Sequence, residues 1–156
     1  LGARRYADGM KTIIATRTET EMRQTARPAH LAALVRAQVR AAAIEAERRG
    51  ESLDLEIVGA PRPVRGDAER LSRAIGRLLS SALRFSDEGA RLQAGVGFGG
   101  SQAVITIGLE GAGVLEAERC GMLHASLADA RSILEECGGS LRISGRRLSA
   151  FLPLAP

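Results

Sequence analysis

Few residues in this 156-residue chain have the type and spacing to do chemistry. Arg77, Ser81 and Arg84 fall in one strongly periodic run from Asp67 to Ser86, where guanidinium groups could draw phosphate. Gly111-Ala-Gly113 follows an apolar stretch ending at Leu109, and glycine-rich backbone of this kind lets amides approach an anion closely. His30 and His124 are the two histidines. His30 sits at a helix start just after a proline and reads as a capping or surface residue. His124 has no nearby acid to orient it, which argues against acid–base work. Cys120 and Cys137 follow no metal-ligand spacing and read as reduced thiols. No Ser-His-Asp set and no metal cluster is visible in the sequence.

These residues need elements to hold them. Tyr6, Met10, Ile13 and Ile14 recur at helical spacing in a polar stretch, so 1–26 is expected to form an amphipathic helix. Its narrow apolar stripe needs a partner helix, from upstream or from a second chain. Arg27-Pro28 breaks it. A second helix follows, with Leu31, Leu34, Val35, Val39 and Ala42 on one face and Gly50 as its stop. Leu53, Leu55 and Ile57 alternate as a half-buried strand, and 59–63 reads as a loop. Asp67 is placed to cap the next helix, whose apolar face is Leu71, Ile75, Leu78, Leu79, Ala82 and Leu83. Two alternating runs, Leu92 to Phe98 and Ala103 to Leu109, flank Gly99-Gly100 as a hairpin. Another helix carries Leu127, Ala130, Leu134 and Cys137 and stops at Gly138-Gly139. Strands at Leu141 to Ser144 and Leu148 to Leu152 close the chain, with Pro153 ending the second. The order predicts an α+β fold: a two-layer sandwich of a mixed, mostly antiparallel sheet of about five strands on three helices, preceded by the N-terminal helix.

Composition bounds the function. Hydrophobic residues make up 45% of the chain and aromatics only 3%, so the core must be aliphatic. The formal charge is +4 and nearly all the positive charge is arginine. The arginines are scattered among acids, whereas a nucleic-acid binder concentrates charge on one face or tail, so no specific nucleic-acid binding is expected. No run approaches the ~18 apolar residues that cross a bilayer, and no signal peptide is visible. A cytoplasmic location is expected. The chain begins at Leu1 and reads as a fragment, leaving open upstream sensor or membrane segments.

From about His30 to Leu154 the motifs together resemble the catalytic and ATP-binding domain of histidine kinases, in the GHKL superfamily. The frame of that family's N box stands as Asp67, Arg70, Leu71, Leu78, Leu79, Ala82, Arg84 and Phe85, with Arg77 and Ser81 where the family has asparagines. The G1 box is similar to Ile105 to Val114: both glycines stand as Gly111 and Gly113, but Leu109 takes the aspartate position. The G2 box corresponds to His124 to Ala128, with His124 and Ser126 replacing both glycines. Ala29-His30-Leu31 matches the family's entry segment, and Glu135 to Gly139 and Leu148 to Pro153 match its closing helix and strand. The stretch 1–26 looks like the end of the dimerisation and phosphotransfer hairpin that precedes this domain, with 27–156 as the catalytic-like domain.

The resemblance implies ATP with Mg²⁺ as cofactor, and the residues present argue against it. Leu109 cannot accept from the adenine amine, at a cost of about 1–3 kcal/mol. Ser81 is too short to reach a metal that asparagine would hold, and Arg77 would repel one. His124 and Ser126 add Cβ atoms where backbone must approach phosphate. Between Gly113 and Leu127 there is room only for a short connection, so the long nucleotide lid is expected to be missing. If nucleotide binds at all, it would meet Arg77, Ser81, Arg84, Leu109, Gly111 and Gly113; otherwise Gly111-Ala-Gly113 is a plain strand-to-loop turn and Arg77 and Ser81 lie on an exposed helix side. The resemblance therefore implies a degenerate two-component domain with no expected cofactor. It would act as scaffold, regulator or phosphotransfer protein toward a response-regulator receiver domain, as a homodimer through the N-terminal helix. The alternative is an active sensor kinase with divergent motifs.

Overall fold

A computed structural model describes residues 28–109 and 117–156. The expected helix over 1–26 lies outside the described residues. Eleven elements follow in order: β1 (Pro28–Ala29), α1 (Leu31–Arg48), β2 (Ser52–Val58), β3 (Val64–Arg65), α2 (Ala68–Phe85), β4 (Arg91–Gly99), β5 (Gln102–Gly108), α3 (Ala117–Ser126), α4 (Ala128–Glu136), β6 (Ser140–Ser144) and β7 (Arg147–Pro153).

Five strands form one sheet in the order β2-β4-β5-β7-β6. Only β2 and β4 pair in parallel, because the chain between them crosses over through α2; the other neighbours are antiparallel. The alternation read from the sequence sets the register. Ala94 and Val96 on β4 face Ile107 and Ile105 on β5, and Ile107 and Ile105 face Leu148 and Ala150 on β7. All of these are buried, so one face of the sheet is a continuous aliphatic layer. Helices α1, α2 and α4 supply the second layer through Leu31, Val35, Leu71, Leu78, Leu134 and their neighbours. Phe85 is the only aromatic ring among the buried side chains described, in keeping with a 3% aromatic composition.

Glycine decides where the helices stop. Gly50 has φ +67, and the amides of Gly50 and Glu51 donate to the carbonyls of Glu47 and Ala46. Gly138 has φ +82, and the amides of Gly138 and Gly139 donate in the same pattern to Glu135 and Leu134. Both are Schellman closures, which satisfy the last carbonyls of α1 and α4 and turn the chain toward β2 and β6.

Two differences from the sequence reading stand out. The stretch 59–63 is indeed irregular, but Val64–Arg65 pairs antiparallel with Pro28–Ala29 as a small second sheet. Two-residue strands carry too short an alternation to be read. The described residues also hold four helices, because 117–126 is helical where only a connection was expected.

Gly59 gives a direct test of the sheet edge. Its φ is +86, and a Cβ there would lie 2.5 Å from the Phe98 carbonyl oxygen. Backbone strain and overpacking then add, so Gly59→Ala should cost about 2–3 kcal/mol. The urea midpoint should fall with an unchanged slope.

Candidate functional site

Helix α2 carries most of the candidate residues, and its sequence explains why it forms. Asp67 has extended backbone and its carboxylate accepts from the Arg70 amide at 3.3 Å. Glu69 in the first turn and Arg84 in the last complement the helix dipole. Leu71, Ala74, Ile75, Leu78, Leu79 and Ala82 turn inward with helical periodicity. Arg77 and Arg84 are left exposed; the Arg84 guanidinium lies 5.5 Å from the Phe85 ring centre.

Ser81 is not on an exposed side. It is buried, and its hydroxyl lies 3.0 Å from that of Ser126. Ser126 donates its own proton to the Leu123 carbonyl at 2.9 Å, so Ser81 is the donor within the pair. The cause is α3. This helix lies against the C-terminal half of α2, anchored by the fully buried Leu123 and by Arg119, whose Nη2 donates to the Phe85 carbonyl at 3.3 Å. The spacing of Cys120, Leu123 and Leu127 was the available signal for this helix. Gly121 within it diluted that signal.

Leu109 follows β5 and continues its ladder: its amide donates to the Arg146 carbonyl at 2.7 Å. Its side chain is 3% exposed and belongs to the aliphatic core. Gly111 and Gly113 lie outside the described residues. The structure thus brings Ser81 and Ser126 together, keeps Arg77 and Arg84 on the outer side of α2, and places Leu109 in the core.

The remaining candidates are placed as follows. His30 precedes α1 and is exposed, with no side-chain cap bond. His124 is exposed on α3 and borders a cavity of about 600 Å³ with Arg131, Ser140, Arg142 and Phe151. Arg77, Ser81 and Leu109 do not line that cavity. A second cavity, of about 510 Å³, lies between α1 and α2 and takes in Arg84. Cys120 and Cys137 are free thiols. Burial pushes the Cys137 thiol up from its ordinary value, opposed by the Arg70 charge. Cys137 packs over Gly66, where a Cβ would lie 2.8 Å from its sulfur, so it reads as a packing residue. Arg70 itself is paired with Glu136, tying α2 to α4. Among the described residues no group of three His, Cys, Asp or Glu could hold a metal. No described helix is long and apolar enough to cross a membrane.

This layered arrangement is that of histidine-kinase catalytic domains, and solved structures agree. A mycobacterial sensor histidine kinase, MprB, matches with a TM-score of 0.67 at 18% identity, over 83% of this chain and 98% of that one. The catalytic domain of histidine kinase ThkA matches with a TM-score of 0.69 at 16% identity, over 83% of this chain and 98% of that one. The cytoplasmic segment of histidine kinase QseC matches with a TM-score of 0.60 at 15% identity, over 94% of this chain and 93% of that one. No protein-family model and no curated protein matches the chain. The described residues therefore have the histidine-kinase-like ATPase fold.

Proposed function

We propose that this chain is a two-component signalling domain that retains the kinase fold without its nucleotide chemistry, and acts through protein contacts with a response-regulator receiver domain. The observation that carries this reading is the Ser81–Ser126 hydrogen bond. These two positions correspond to a metal-binding asparagine and a phosphate-approaching glycine in the resembled family. Here they satisfy each other, in a buried contact between α2 and α3. A hydroxyl donating to another hydroxyl offers no amide oxygen to a magnesium ion. Leu109 supports the reading independently, because an aliphatic side chain within the core presents no acceptor to adenine. The residues present do not fit Mg-ATP.

Binding tests this directly. A ligand at 100 times its Kd stabilises the folded state by about 2.7 kcal/mol, so a micromolar site would give a clear thermal shift in millimolar nucleotide. The expected result is no shift with Mg-ATP and no anisotropy change with a fluorescent ATP analogue. Saturable micromolar binding would sink this reading and favour an active kinase with divergent motifs. If the reading holds, contact with a receiver domain should survive Arg77→Ala and need no nucleotide.

A further inference from the structure

The helices α1, α2 and α4 pack on one face of the sheet, through its buried aliphatic residues. On the other face the ladder registers set side chains in rows across all five strands. From β2 to β6 one row reads Glu56, Gly95, Thr106, Ser149 and Arg142. The next row reads Val58, Gly97, Val104, Phe151 and Ser140. None of these residues is buried, and Val58 is 59% exposed.

The two sides of this face are opposite in charge. Asp54 and Glu56 stand on β2, whereas Arg147 stands on β7 and Arg142 on β6, all four exposed. Glu56 and Arg142 are four strand spacings apart, about 19 Å, so they cannot meet within one chain. Among the described residues none of the four is in an ion pair. The cavity of about 600 Å³ beside Arg142 also takes in Arg131 and His124, and no acid is among its described lining residues.

Strand order turns this polarity into self-complementarity. In β2-β4-β5-β7-β6 the middle strand is β5. A twofold axis parallel to β5 lays a second copy face to face with β2 over β6 and β4 over β7. Each Glu56 then approaches the other copy's Arg142, so the attraction is made twice. Each Phe151 falls over the other copy's Gly97. A Cβ at Gly97 would meet nothing within 4 Å, so the floor beneath that ring is open. Val104 and Thr106 lie along the axis. Aligned sheets pack in this way about 10 Å apart, with strands about 30° from parallel. An axis across the strands would instead set Glu56 against Glu56 and Arg142 against Arg142, so charge selects one orientation.

We propose that the outer face of the sheet binds a second copy of this chain about the axis along β5. The interface is isologous, as in most homodimers. A partner of uniform charge would meet one like-charged side, whereas a second copy meets none. Five strands of about seven residues span about 24 by 23 Å, or roughly 1,100 Å² for the two copies together. That is the low end of specific interfaces, so the dimer is reversible and weak.

The test is sedimentation velocity of the full chain from about 5 to about 500 µM, a range suited to a small interface. The mass should rise reversibly with concentration, and less so as salt is added. Glu56→Arg and Arg142→Glu should each weaken association at least about tenfold, because each turns two attractions into two repulsions. Glu56→Arg/Arg142→Glu in one chain should restore it to within about threefold, since the pairs are re-formed with signs exchanged. Gly97→Thr should fill the floor under Phe151 and weaken association, while the melting temperature holds or rises. Circular dichroism and melting show that each variant is folded. No rise in mass up to about 500 µM would overturn the proposal. So would association that ignores both single reversals, which would place the contact elsewhere in the chain, or a double variant no better than the single ones.

Discussion

Leu109→Asp should destabilise the domain by about 3–5 kcal/mol at neutral pH and should not create an ATP site. The residue being replaced is 3% exposed and packed in the aliphatic core at the end of β5. A carboxylate in its place is desolvated among aliphatic side chains, and a buried charge that is not well paired costs several kcal/mol. The pH dependence separates this cause from a simple packing loss. In the folded state burial raises the carboxyl's pKa above its unfolded value near 4. Well below pH 4 both states are protonated, and only the packing loss remains. As pH rises through the unfolded pKa, the unfolded state ionises first, and the deficit relative to the parent chain grows. Urea denaturation at about pH 3.5 and at pH 7 reads this directly. A variant as stable as the parent at pH 7, with new affinity for Mg-ATP, would mean that position 109 faces a working cleft and that the proposed function is wrong.

The layered fold was legible because it rests on long, periodic signals. The α2 run from Leu71 to Leu83 repeats its apolar face over several turns, and Asp67 and Gly50 mark helix ends by mechanisms that depend on single residues. The strands were legible for the same reason. Leu92, Ala94 and Val96 alternate cleanly and turn inward as expected. What the sequence concealed was the neighbourhood of α3. Ten residues containing a glycine, a histidine and two serine or cysteine positions give a weak helical pattern, and their meaning depends on what they pack against. Without α3, Ser81 has no reason to be inside. With α3 in place, Leu123 fills the space beside α2 and Ser81 must find a partner, which Ser126 provides. The sequence singles out Ser81, but its surroundings come from a long-range contact that no local spacing reports.

Arg49→Ala is expected to cost about 3–5 kcal/mol, among the largest effects of any charged residue described. Arg49 is the C-terminal boundary of α1, and its side chain does two things at once. Nη1 donates to the Leu83 carbonyl near the end of α2 at 2.6 Å, joining the two helices. Nη2 lies 3.2 Å from Glu51 Oε1, and the Glu51 side chain is fully buried. The proximity is close but neither carboxylate oxygen receives a well-directed hydrogen bond, so the attraction to Arg49 is what compensates the buried charge. The Schellman closure at Gly50 places Glu51 where helices usually bury an apolar residue, which explains why a carboxylate lies inside at all. Removing the guanidinium leaves that charge unmet and frees the Leu83 carbonyl. Removing both charges together, as Arg49→Met/Glu51→Leu, should recover most of the loss, because an apolar pair of similar volume avoids the desolvation of two ions. Equilibrium denaturation of the single variants, the double variant and the parent closes the cycle. If Arg49→Ala lost less than about 1 kcal/mol, Glu51 would have to reach water in solution and the pair would be an ordinary surface contact. A double variant no more stable than Arg49→Ala would assign the effect to the Leu83 carbonyl contact alone.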